Sequence, residues 1–77
     1  MEAAMEAFCR KLADILEVDE LAPGARLEDY PEWDSLSVLT AISMISADYG
    51  VTLHASEVRT VVTARDLYAL ATRNNGH

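Results

Sequence analysis

PEWDSLSV, residues 31–38, is where a turn gives way to a helix. Pro31 favours a turn, and Asp34 is a strong N-cap whose negative charge suits the positive end of a helix, so helical spacing is expected from Ser35 onward. The apolar-rich run that follows stops at Gly50, a good C-terminal residue, which predicts a helix over 35–49. At about 100° per residue, Val38, Ile42, Ile45 and Tyr49 form its core face with Leu39 and Ala41 flanking. Leu36, Ser37, Thr40, Ser43, Met44 and Ala47 fall on the opposite side.

Upstream, Met5, Phe8, Leu12, Ile15 and Leu16 recur at helical spacing and predict an amphipathic helix over about 2–17. Pro23 and Gly24 then punctuate a long loop, 18–33, in which Leu21, Leu27, Tyr30 and Trp33 are the candidates to tie it down. Downstream, residues 56–61 read as a short helix, although VRTVV is β-branched and also fits a strand. Thr63 and Asp66 form a capping-box pattern ahead of a last helix over about 64–73, and the tail NNGH is expected to fray. Glycine and proline together number five, which agrees with an all-α chain of three longer helices and one short one in a single domain, 1–77.

Composition removes several function classes. Thirteen acids against six Lys and Arg give a net charge of −7, a field that repels phosphate backbones and argues against nucleic-acid binding. No segment approaches the ~20 apolar residues that span a bilayer. The lone Cys9 has no internal disulfide partner, and MEAAMEAF carries acids where a signal peptide has a basic start, so a cytoplasmic setting is expected.

The chemistry-bearing residues are sparse. Ser35 lacks a nucleophile elbow, and neither His54 nor His77 stands in a triad setting. One cysteine and two distant histidines give no zinc spacing, the acids of 28–34 lack the pattern of a calcium loop, and Gly24, Gly50 and Gly76 are too isolated to cradle phosphate. What remains is a serine on the first turn of a helix in an acidic domain without catalytic apparatus. That arrangement suits the substrate of another enzyme.

Here the chain resembles the acyl carrier protein family, whose D-S-L attachment motif matches Asp34, Ser35 and Leu36. The likeness extends through LEDYPEWDSLSVL, the Tyr49–Gly50 helix end and the TARDLYALA closing segment. It implies a stand-alone, monomeric four-helix bundle with the long loop between helices 1 and 2 and no activity of its own. It further implies that a phosphopantetheinyl transferase moves 4′-phosphopantetheine from coenzyme A, with magnesium, onto Ser35. Acyl-loading, condensing or acyl-transferring enzymes would then use the arm's thiol, docking on Leu36, Ser37, Thr40, Ser43, Met44 and Ala47. Leu39, Ile42, Ile45, Val61 and Leu67 would line any space taken by the acyl chain.

One departure stands out, since Ser37, Thr40, Ser46 and Ala47 occupy positions where fatty-acid-synthesis carriers often have acids. That points to a specialised lipid, polyketide or related pathway. An aminoacyl or peptidyl carrier, or an unmodified helical adaptor, is the alternative.

Overall fold

Phe8, Cys9, Leu12, Ala13 and Leu16 turn inward from helix α1, Ala3–Leu16, as the apolar period requires. The computed structural model describes residues 3–73; the expected start of the first helix at residue 2, the NNGH tail and His77 lie outside them. Three further helices follow: α2, Ser35–Tyr49; α3, Ala55–Val58; and α4, Ala64–Thr72. Among the described residues there is no strand, only one isolated bridge between Arg26 and Thr63, so the molecule is the all-α four-helix bundle expected.

Local chemistry sets the boundaries. Beyond α1, Glu17 adopts a left-handed backbone (φ 58°) and the Val18 amide donates to the Ala13 carbonyl at 3.0 Å, a Schellman-type stop. At the end of α2, Gly50 takes φ 67°, where a side chain would be strained, and its amide bonds the Ser46 carbonyl at 3.1 Å. For α4 the capping box forms as its residues suggest: Thr63 Oγ1 accepts from the Asp66 amide at 3.2 Å, and Asp66 Oδ2 from the Thr63 amide at 3.1 Å. The short helix differs from its expected span, beginning at Ala55 and ending at Val58 rather than at residue 61. Thr60, Val61 and Val62 are consecutive β-branched residues that resist helical χ1 crowding, and the chain leaves the helix there.

The bundle packs α1 against α2 and α4, and α2 against α3 and α4. Phe8, Leu12, Leu16, Leu27, Ile45, Val58 and Leu67 are fully buried at its centre. Edge-on contacts join Phe8, Tyr49 and Tyr68, with ring centroids 5.3–6.3 Å apart, and an ion pair from Lys11 to Asp48 ties α1 to α2 on the surface.

The long loop is fastened at both its side chains and its backbone. Leu21 and Leu27 are buried, Tyr30 and Trp33 pack on the core, and a single 3-10 turn spans Leu27–Asp29. The Leu27 amide donates to the Val62 carbonyl at 3.0 Å, while the amides of Ala64 and Arg65 donate to Ala25 and Pro23 at 3.1 and 2.8 Å. These bonds splice the loop to the α3–α4 connection, which fixes both against the N-terminal end of α2.

Candidate functional site at the start of α2

The approach to Ser35 is a tight turn, Tyr30–Trp33, closed by the Trp33 amide donating to the Tyr30 carbonyl at 2.9 Å, with Pro31 in its second position. Asp34 then leaves the turn in extended geometry and caps α2: its Oδ1 accepts from the Ser37 amide at 3.0 Å. Ser37 returns the interaction, its Oγ accepting from the Asp34 amide at 2.8 Å and donating to the Glu32 carbonyl at 2.6 Å. The Ser37 amide is the main cause, with its hydroxyl contributing, that holds the Asp34 carboxyl below its ordinary value.

This reciprocal pair of hydrogen bonds corrects one expectation. Ser37 is only 7% exposed and faces inward as the second half of the capping box, so it is not part of a docking surface. The 100° wheel misplaced it because a third-position serine turns back to serve its own N-terminus. Met44 is also drawn inward, half-buried against the core. Leu36 at 72% exposure, with Thr40, Ser43 and Ala47, does lie open to solvent, and Thr40 Oγ1 folds onto the Leu36 carbonyl at 3.0 Å.

Ser35 itself is the first residue of α2 and is exposed, and none of its neighbours on the cap consumes its hydroxyl. Its Oγ accepts one hydrogen bond, from Arg59 Nη2 at 3.1 Å. Arg59 follows α3 directly, and the packing of α3 on α2 brings it across 24 positions of sequence. Reading the chain alone missed it; the signal was a lone cation in the otherwise apolar and hydroxylic run Val58–Thr63.

Two open grooves flank the serine. One, of about 310 Å³, is lined by Glu28, Trp33, Asp34, Ser35, Val38, Arg59 and Val61. The other, of about 220 Å³, runs on the α1 side past Ile15, Glu17, Glu32, Leu36 and Thr40. Of the five residues expected to line an acyl chain, Val61 alone borders the first groove. Ile45 and Leu67 are sealed in the core, Ile42 is half-buried against it, and Leu39 is 57% exposed, an outward position that its place on the flank of the core face did not suggest.

The carboxylate beside Ser35, that of Asp34, is committed to the cap and made less basic. The arrangement offers an anion-friendly helix N-terminus, an accessible hydroxyl and a guanidinium on that hydroxyl, a set that fits a phosphate esterified at Ser35. Among the described residues no helix is long and apolar enough to cross a membrane.

A family model described as a phosphopantetheine attachment site matches residues 6–71, from the first turns of α1 to the last of α4. Searches of curated proteins and of solved structures find no match.

Proposed function

The chain belongs to the phosphopantetheine attachment-site family and so carries covalently attached 4′-phosphopantetheine; on that premise we propose that Ser35 is the attachment residue and that the loaded protein holds acyl intermediates. The observation that carries the reading is the exposed, cap-independent Ser35 hydroxyl at the start of α2, immediately after an aspartate that does the capping in its place.

Loading is a phosphoryl-type transfer. The Ser35 Oγ–P bond forms as the pyrophosphate bond of coenzyme A breaks, the adenosine bisphosphate half leaves, and the hydroxyl proton passes to a base supplied by the transferase. The chain contributes position: the cap holds Ser35 at the first helical turn, and the positive end of the helix dipole favours the new negative charge. Once attached, the arm supplies a terminal thiol that bears acyl groups as thioesters.

The protein has no reaction of its own in this reading; a phosphopantetheinyl transferase and acyl-loading, condensing or acyl-transferring enzymes act on it as a cytoplasmic monomer. The neutral middle of α2, with Leu36, Thr40, Ser43 and Ala47 open to solvent, supports a specialised lipid, polyketide or related pathway over housekeeping fatty acid synthesis.

Incubation with coenzyme A, magnesium and a broad-specificity transferase is expected to add one phosphopantetheine to the intact mass of the wild type and none to Ser35→Ala. Equal gain by both proteins would remove Ser35 from the role. Loading assays with acyl- and aminoacyl-activating enzymes then separate an acyl carrier, which accepts only the former, from an aminoacyl carrier.

A further inference from the structure

Arg59 lies on Ser35 and, among the described residues, makes no ion pair. Three of the six cations, Lys11, Arg26 and Arg73, are held in ion pairs among the described residues, with Asp48, Glu28 and Glu57. The side-chain bond of Arg59 goes instead to a neutral hydroxyl. The acids that share its groove are committed elsewhere: Glu28 is engaged by Arg26 at 2.8 Å, and Asp34 by the Ser37 amide. A charged, five-donor fork therefore points at the atom that loading would esterify, in a protein whose net charge of −7 leaves few cations to spare.

From this geometry we infer that Arg59 is the docking point for the arm's phosphodiester, and that the contact directs the arm into the groove between α2 and the α3–α4 connection. The inference rests on Ser35 being the attachment residue. Esterification replaces the hydroxyl proton by a phosphorus bearing two non-bridging oxygens that share one negative charge, one bond beyond Oγ. A guanidinium already on Oγ meets those oxygens by a side-chain rotation, and its planar fork matches them better than an ammonium would.

The two grooves beside Ser35 are electrostatically unequal. The α1-side groove brings Glu17, Glu32 and Asp34 together and repels a phosphate. The opposite groove shares Asp34 and adds Glu28, which Arg26 pairs at 2.8 Å, but of the two it is the one that holds a cation, Arg59, together with Trp33, Val38 and Val61, apolar groups suited to the geminal methyl groups of pantetheine. Arg59 is a positioning residue here, since it sets where the arm lies without touching the thiol.

The test uses full-length protein loaded to completion by mass, with NMR as the readout. In the wild type, loading is expected to shift the Arg59 Nε–Hε resonance, to give NOEs from the arm's methyl groups to the Trp33 indole, and to give a phosphorus resonance whose position moves as raised salt weakens the Arg59 contact. Arg59→Gln is expected to load but to lose both the NOEs and the salt-dependent phosphorus shift, and Arg59→Lys to keep a reduced phosphorus shift. A fully loaded wild type whose Arg59 resonance is unmoved, or an Arg59→Gln protein with the same NOEs, overturns the inference while leaving Ser35 as the attachment site. Failure of the wild type to gain mass overturns both.

Discussion

Replacing Ser37 by alanine removes, in one step, the acceptor of the Asp34 amide and the donor to the Glu32 carbonyl, both in part-buried surroundings. The loss of a reciprocal cap with a buried polar group left unmatched costs about 1–2 kcal/mol, or roughly 4–8 °C of Tm per kcal/mol in a domain of this size. Thr40→Ala, which removes only an exposed bond within its own helix, is expected to leave Tm nearly unchanged; equal losses in the two variants would contradict the capping role. Cys9 gives a second residue-scale prediction. It is buried, and that burial pushes its thiol up despite the nearby Arg65 charge, so maleimide at neutral pH is expected to label the unloaded protein not at all and the loaded protein once, on the arm. Of the residues at the site, Asp34 and Ser35 were legible because a cap and its neighbour are local patterns. Arg59 was not, because its place depends on how α3 packs against α2.

At the scale of the element, α2 owes its start to one carboxylate and α4 to another, while α3 draws on Glu57, whose Oε1 accepts from the His54 amide at 3.0 Å. All three carboxyls lie below their ordinary values of 3.8 for Asp34 and Asp66 and 4.5 for Glu57, held there chiefly by the amides of Ser37 and Thr63 and, for Glu57, by Arg73. Because the folded values are depressed, their contribution is fully present above the unfolded ones and is lost as pH falls through the folded ones. Thermal melts are therefore expected to be flat from neutral pH to about the unfolded carboxylate range, near pH 4, and to fall below it. The Asp66→Asn variant is expected to show a shallower acid decline, and an unchanged decline would exclude that cap as a source. The helical class and the faces of α1 and α4 were legible because their apolar periods are clean. In α2, where only Ser35, Ser37, Thr40, Ser43, Ser46 and Asp48 interrupt apolar residues, periodicity does not separate core from surface, and Leu39 and Met44 were misread accordingly. The backbone bonds from 25–27 to 62–64 were invisible for a different reason, since loop amides carry no residue-type signal.

At the scale of the whole molecule, three acids from two parts of the chain converge at the start of α2. Glu17 arrives from the end of α1 to join Glu32 and Asp34 beside Leu36, whereas Leu36, Thr40, Ser43 and Ala47 continue along α2 with no acid before Asp48, which Lys11 pairs. A partner that covers only the Ser35 end meets negative charge, and one that extends along α2 relies on apolar contact. Glu32→Gln is thus expected to slow association with a basic transferase several-fold at low salt, an effect that fades as salt rises, with little change in stability. Binding to a housekeeping ketosynthase over the same salt series is expected to be weak and only mildly salt-dependent; tight, steeply salt-dependent binding would contradict the specialised-pathway reading.

The most direct test of the attachment site uses the chain's own cleavage pattern. Trypsin releases Leu27–Arg59 as one peptide containing five serines, Ser35, Ser37, Ser43, Ser46 and Ser56, so intact mass alone does not locate the arm. Fragmentation of that peptide after loading is expected to place the whole phosphopantetheine mass on Ser35, with the other four serines unmodified. The same mass on any of those four, or a wild-type peptide that stays unmodified under conditions that load another carrier, would contradict the account.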